Sequence, residues 1–364
     1  MILETGGSNM QRIKIGDRYV GLQYQPYFVA DIAANHDGSL DRAYRLIELA
    51  KDAGADAAKF QNFKARKIVS KSGFDMMGGQ LSHQKGWSRS VFEVYEEASI
   101  DDEWTPLLKR KCDEVGIEYM TSPYDFESVD LADRYSKCIK IGSGDINWLE
   151  ILKYIAKKQK PVMLATGATE FREVERAVNL IVKDNPSLIL MQCNTNYTAS
   201  PDNYAYINLN VLKTYRDYFP DLILGISDHT YGHATILGAI ALGARVIEKH
   251  FTDDNDRIGP DHKFSMNPQS WSEMVNESKK LFMALGDGVK RVEENEMDTL
   301  IVQRRALYYQ RPLLKGETIK KEDIFPVRPC RKGNIPPSEI DKLLGKVLKN
   351  DVSADEAVSW EDFL

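Results

Sequence analysis

The chain has 364 residues, 43% of them hydrophobic and 28% charged, with a formal net charge of −6. This length exceeds one ordinary domain and predicts a large unit plus a small one, in a composition able to bury a sizeable core. The acidic balance leaves no global basic field, which excludes nucleic acid as an expected partner. Cys112, Cys138, Cys193 and Cys330 are scattered without CxxC spacing, which argues against a zinc ribbon or a disulfide framework and fits a reducing cytoplasm.

In chain order, the first nine residues lack the basic and apolar regions of a secretory leader, and Met10 offers a second candidate start. Residues 13–15 and 19–21 flank Gly16-Asp17 and predict a hairpin, within a cap over 1–25, that plugs one end of the fold. Apolar, β-branched runs follow at 27–33, 57–60, 118–121, 138–141, 162–165, 188–191, 222–225 and 246–249. Helical periodicity occupies 40–53, 102–115, 126–135, 149–158, 170–183, 209–218, 234–242 and 269–285. Eight strands, each followed by a helix, predict an α/β fold of the (β/α)8 TIM-barrel type over 26–286. The most apolar stretch, 234–244, is broken by Gly238 and Gly243 and falls short of the roughly 18 residues a membrane span needs, so no membrane partner is expected.

Two segments depart from this rhythm. The connection 62–90 is long and mixes glycines with Phe74, Met76, Met77 and Trp87, which predicts a cover over a substrate. The charged run 286–296 reads as a solvated connector, placing a linker at 287–301 before a small β-rich unit over 302–364.

Chemistry concentrates at the ends of the strands. Val246-Ile247-Glu248-Lys249-His250-Phe251 and Gly225-Ile226-Ser227-Asp228-His229-Thr230 are apolar runs that each stop at a histidine. Strand parity puts Ser227 with His229, and Glu248 with His250, on one face. A lone histidine is more often a satisfied core residue, but two at adjacent strand ends can share a divalent metal whose open positions suit catalysis. Lys59 and Lys140 are predicted to face the same pocket, meeting an anion or merely pairing with Asp31 or Glu248. Ser122, Ser143 and Ser227 supply hydroxyls for a phosphate or carboxylate cradle. Asp31 and Asp145 end the first and fourth strands and offer carboxylates for proton transfer or a metal shell, with capping or lysine pairing as the bland alternative. Asn35-His36-Asp37-Gly38 reads as a turn and cap, and His83 and His233 carry no comparable signal.

The ordered series Asn35-His36-Asp37-Gly38-Ser39, Lys59-Phe60-Gln61, Thr121-Ser122-Pro123, Lys140-Ile141-Gly142-Ser143-Gly144-Asp145, Ala165-Thr166-Gly167, Gly225 to Thr230, Glu248-Lys249-His250-Phe251 and Gly259-Pro260-Asp261 resembles the sialic acid (N-acetylneuraminate) synthase family. The C-terminal part, with Leu314-Lys315-Gly316-Glu317-Thr318-Ile319 and Val327-Arg328-Pro329, is similar to the antifreeze-like (SAF) domain of those synthases. The resemblance implies metal-dependent condensation of phosphoenolpyruvate with an open-chain N-acylated amino sugar to a nine-carbon 2-keto acid and phosphate. It implies His229 and His250 as ligands of a divalent metal, commonly Mn2+ with Mg2+ or Co2+ as alternatives. It implies phosphoenolpyruvate binding by Lys59, Ser122, Lys140, Ser143, Thr195 and Ser227, and sugar binding by Gln61, Tyr197 and Asp261. Arg328 matches an arginine that reaches a neighbouring subunit's site, which implies a domain-swapped homodimer. Asp31 and Asp145 stand where the family usually has glutamate, and Ala165 stands where it has serine. The segment 193–200 and the connection 62–90 also differ from the N-acetylneuraminate pattern, which points to a diacetamido-trideoxyhexose as an alternative acceptor. A Schiff-base aldolase and a non-catalytic sugar-binding relative are the competing readings.

Overall fold

The structure, a computed structural model, describes residues 11–364. The predicted cap therefore begins outside the described residues. Within it, β1 (Ile13–Ile15) and β2 (Arg18–Val20) form an antiparallel hairpin. Gly16 turns it at φ +56°, a left-handed conformation that favours glycine. Ile13, Ile15 and Val20 join Tyr27, Val29, Met120, Met163, Ile189 and Val246 in one buried cluster. The hairpin thus plugs the end of the barrel where the strands begin, as its alternating pattern predicts.

The barrel strands are β3 (Tyr27–Asp31), β4 (Ala57–Asn62), β5 (Glu118–Pro123), β6 (Ile139–Ile141), β7 (Val162–Ala165), β8 (Leu188–Cys193), β9 (Ile223–Asp228) and β10 (Ala244–His250). They run parallel and close on themselves, with β10 bonded to both β9 and β3. Closure removes every sheet edge and sends all eight strand C-termini to one rim.

The helices are α1 (Leu40–Asp52), α2 (Ala65–Ile68), α3 (Lys71–Asp75), α4 (Val91–Ala98), α5 (Trp104–Val115), α6 (Phe126–Tyr135), α7 (Leu149–Ala156), α8 (Phe171–Val182), α9 (Val211–Tyr218), α10 (Ala234–Ala241), α11 (Pro268–Leu285) and α12 (Met297–Gln303). Their patterning explains their docking: α8 buries Val174, Ala177, Val178 and Ile181, one face at helical spacing, against the sheet. Sequence-predicted helix boundaries hold within about two residues, the ordinary uncertainty at helix ends. Among the described residues no helix is long and apolar enough to cross a membrane.

The long connection after β4 holds more structure than its glycines suggest. It contains α2, α3, a 3-10 turn at Ser82–Gly86 and α4. Ser70 caps α3, and Ser90 with Glu93 forms a capping box on α4. Such caps satisfy the orphan N–H groups that a short helix cannot bond internally.

The chain divides into two compact units, Met1–Gly286 and Asp287–Leu364. In the second unit, β11 (Ala306–Tyr309) pairs antiparallel with β12 (Ile324–Val327). Leu307, Tyr309, Leu313, Ile319, Ile324, Ile335, Leu343, Leu348 and Val358 form its core. The segment read as a connector carries α12 near its end, where the run Met297 to Gln303 has few helix breakers.

Candidate active site

Register across the barrel assembles the site. His250 lies opposite Asp31, and Asp31 opposite Lys59. Glu248 lies opposite Ser227, and Ser227 opposite Cys193. Alternation along β10 turns Glu248 and His250 inward while Lys249 points outward. There Lys249 Nζ donates to Asp228 Oδ2 at 2.5 Å and to the Thr230 carbonyl at 2.6 Å.

Four charges meet inside the barrel, each of them 2–3% exposed. Lys59 Nζ donates to Asp31 Oδ2 at 2.6 Å and to Ser122 Oγ at 3.3 Å, and it stands 3.9 Å from Glu248 Oε2. Lys140 pairs with Glu248 Oε1, which also accepts from Ser227 Oγ at 2.9 Å. Both lysines therefore do share one site, and both carboxylate pairings weighed in the sequence are present. Burial would raise the pKa of Glu248, but Lys140 and Lys59 outweigh it and hold the carboxyl at about 2. For Asp31 burial wins over Lys59, so its carboxyl sits above the usual range. Glu248 Oε2 is buried with no hydrogen-bond partner among the described residues, so the cluster is not fully satisfied within itself.

Beside this layer lies a cavity of about 500 Å³. Its wall includes Gln61, Ser143, Asp145, Thr195, Tyr197, His250 and Asp261, all named from sequence. Asp31, Lys59, Ser122, Lys140, Ser227 and His229 belong to the buried layer instead, each 5% exposed or less. Burial alone lifts the Asp145 carboxyl to about 6. That value suits proton transfer near neutral pH. Arg328 follows β12 in the second unit and is exposed.

His250 on the wall meets His229 in the buried layer, with ring centroids 5.4 Å apart. His229 Nδ1 is 2.8 Å from the Asn194 carbonyl, which fixes that nitrogen as the donor and leaves Nε2 as the lone-pair end. Among the described residues His250 Nδ1 is buried without a hydrogen bond, 3.8 Å from Asp261 Oδ2, while its Nε2 is 3.6 Å from Asp31 Oδ2. Burial depresses His229 to about 3, with His250 adding to the effect, and His250 to about 4. Both imidazoles are neutral at pH 7, the state that binds a metal. The pair fits a divalent cation held by two protein ligands. Among the described residues no group of three or more His, Cys, Asp or Glu is arranged to hold a metal, so a cation on this pair would leave positions open to water or substrate.

Several residues that pack on or beside Tyr197 carry no sequence signal strong enough to have been named. Tyr197 packs against His229 at 4.3 Å and against Phe264 at 5.3 Å. His83, passed over in the sequence, stands 5.0 Å from the Tyr197 ring and 5.4 Å from Trp87, and its Nδ1 is buried without a partner among the described residues. Phe63, Tyr95 and Tyr124 complete an aromatic side of the cavity. Tyr95 was open to detection, since Val91, Val94, Tyr95 and Ala98 recur at helical spacing. His36 behaves as predicted for a turn: its Nδ1 accepts from Gly38 N at 3.1 Å, and Ser39 caps α1.

Comparison with known proteins agrees with this geometry. Residues 46–290 match the NeuB family and residues 304–364 match the SAF domain. An uncharacterized protein of Methanocaldococcus jannaschii is 33% identical, covering 98% of this chain and 99% of its own. An N,N'-diacetyllegionaminic acid synthase of Legionella pneumophila is 35% identical over 92% of this chain and 94% of its own. Among solved structures, a sialic acid synthetase of Leptospira borgpetersenii in complex with citrate superposes with a TM-score of 0.70 at 27% identity, over 80% of this chain and 95% of that one. On both sequence and architecture, the chain belongs to the NeuB family, as a TIM-barrel enzyme followed by a SAF domain.

Proposed function

We propose that this enzyme condenses phosphoenolpyruvate with an open-chain N-acylated hexosamine, giving a nine-carbon 2-keto sugar acid and inorganic phosphate. The observation that carries the reading is the incompletely satisfied Lys59–Asp31–Glu248–Lys140 cluster beside a cavity lined by His250, with the neutral His229 next to it. A diacetamido-trideoxyhexose is the preferred acceptor, with N-acetylmannosamine as the alternative. The aromatic side formed by Phe63, Trp87, Tyr95 and Tyr124 favours acetamido and deoxy carbons over a fully hydroxylated chain, and a relative is named for the legionaminic product.

Lys59 and Lys140 fix the anionic substrate, with Ser122, Ser143, Thr195 and Ser227 donating hydroxyls to its oxygens. Gln61, Tyr197 and Asp261 orient the sugar, and Arg328 reaches it from the neighbouring subunit of a domain-swapped homodimer. His229 and His250 would hold a divalent cation, Mn2+ first and Mg2+ or Co2+ as alternatives, which polarises the acceptor's aldehyde oxygen. The phosphoenolpyruvate methylene carbon bonds to the aldehyde carbon, water adds at the enol carbon, and the C–O bond to phosphate breaks. Asp145 and Asp31 carry the protons released and taken up in those steps. The work is assigned to the cytoplasm, with no nucleic acid or membrane as partner.

The experiment is incubation with phosphoenolpyruvate, Mn2+ and a panel of hexosamines, followed by mass spectrometry. The expected product is the acceptor extended by three carbons as a keto acid, with phosphate in equal amount. A borohydride-trapped adduct on Lys59 or Lys140, with no chelator sensitivity, would replace this reading by the Schiff-base aldolase.

A further inference from the structure

A second cavity, of about 120 Å³, lies at the opposite end of the barrel, where β9 and β10 begin. Arg216 and Arg245 both line it. Arg245 is 6% exposed, and its charge rests on backbone dipoles: Nε donates to the Leu22 carbonyl at 3.1 Å, and Nη1 to the carbonyls of Ala244 and Ile240 at 2.8 and 3.1 Å. Its guanidinium carbon also lies over the Phe282 ring, at 5.2 Å. Its Nη2 donates to no group among the described residues. Arg216 comes from the last turn of α9 and among the described residues reaches only the Gly243 carbonyl, at 3.4 Å. Neither guanidinium has an ion pair among the described residues. Asp221, the one carboxylate on the wall, is exposed and pairs with neither.

Two like charges turned toward one small space repel each other and carry a desolvation cost that carbonyl dipoles offset in part. Burial, and after it the nearby Arg216 charge, depress Arg245 to about 10. The backbone is shaped around this encounter. Gly243 has φ +95°, and a Cβ there would collide with the Arg216 guanidinium. The positive φ favours glycine here, and the missing Cβ lets the arginine lie against the start of β10.

We propose that Arg216 and Arg245 form a binding site for one small tetrahedral oxyanion, of the inorganic phosphate or sulfate class, at the floor of the barrel. A guanidinium fork with a free Nη2 matches two oxygens of such an anion, and a second arginine neutralises its remaining charge. The cavity has room for a few waters or one such ion and is too small for a nucleotide or a sugar phosphate. This site is independent of the proposed condensation and stands on the other face of the fold from His229 and His250. The strands β9 and β10 nevertheless join the two faces directly.

The test is titration of inorganic phosphate into the full chain by calorimetry, with chloride balancing ionic strength. Arg216→Gln should weaken phosphate binding by about tenfold or more, and Arg216→Lys should fall between, since it keeps the charge but loses the fork. The melting temperature of Arg216→Gln in chloride should match the unaltered protein, because no internal ion pair is lost. Crystals soaked in selenate supply the second arm: anomalous density between Arg216 and Arg245 is expected even with phosphoenolpyruvate saturating the rim. Equal phosphate affinity in Arg216→Gln, or selenate bound at the rim alone, overturns the proposal, and if that variant does not fold the selenate position decides.

Discussion

The barrel holds two buried lysine–carboxylate clusters that both include residues of β10, and they differ in how completely their bonds are used. Outside the barrel, Asp228 accepts from Lys249, from Thr235 Oγ1 at 2.7 Å and from both the hydroxyl and the N–H of Thr230. Inside, on either side of Lys249 along β10, Glu248 Oε2 and His250 Nδ1 are buried with no hydrogen-bond partner among the described residues. A closed ionic cluster stabilises the fold, whereas an open one keeps bonding capacity for something that arrives later. Adjacent positions in one strand thus divide between architecture and chemistry.

The comparison can be broken most directly at the histidine. His250→Ala should reduce phosphate release from phosphoenolpyruvate by about a thousandfold or more, with the melting temperature nearly unchanged. Retained turnover in that variant after chelation would dissolve the metal role. On the structural side, Lys249→Met should cost about 3–5 kcal/mol in urea unfolding, because it leaves Asp228 buried and uncompensated. Lys140→Met should lose roughly half as much stability, since Lys59 stands 3.9 Å from Glu248 and shares its charge, while losing most of its activity. Equal stability losses in the two variants would erase the distinction between the clusters.

A smaller effect sharpens the contrast through pH. The Asp145 carboxyl is raised to about 6 in the folded state. Protonated Asp145 therefore favours the fold below its unfolded pKa, and that advantage is lost as pH rises through the folded value. Asp145→Asn should match the unaltered protein near pH 4 and exceed it above pH 7, by up to about 2 kcal/mol. The pH–rate limb near 6 should vanish in the same variant, and its persistence would assign that proton to another group. Smallest is Arg328→Ala, which should raise the Michaelis constant for the sugar well above any change for phosphoenolpyruvate; equal changes would count against a contact across subunits.

Much of this arrangement was legible in the residues themselves. Parallel strands buried on both faces read as continuous apolar runs, so β7 was placed to the residue and the barrel count followed. Strand parity carried Glu248, His250 and Ser227 to one face before any coordinates. The ends of β5, β8 and β9 were drawn short, because Ser122, Pro123, Gln192 and Ser227 interrupt the hydrophobic signal where the strand enters the site. Polar residues at strand ends look like loop to a hydrophobicity pattern, yet here they are bonded in the sheet. His83 was illegible for a different reason: its role comes from tertiary packing on Tyr197, and the flanking residues 78–87 have no periodicity that aims a side chain. The division between wall and buried layer was also beyond reach, since it depends on which side chains lie deeper along strands that share a rim.

The hairpin of Ile13, Ile15 and Val20 has a consequence for traffic. Because hydrocarbon stoppers the lower opening, whatever enters from the upper rim must depart by the same doorway. Products then compete with incoming reactants for passage, so inhibition by the departing product should be governed by the opening beneath the 62–90 segment rather than by any through-flow along the cylinder.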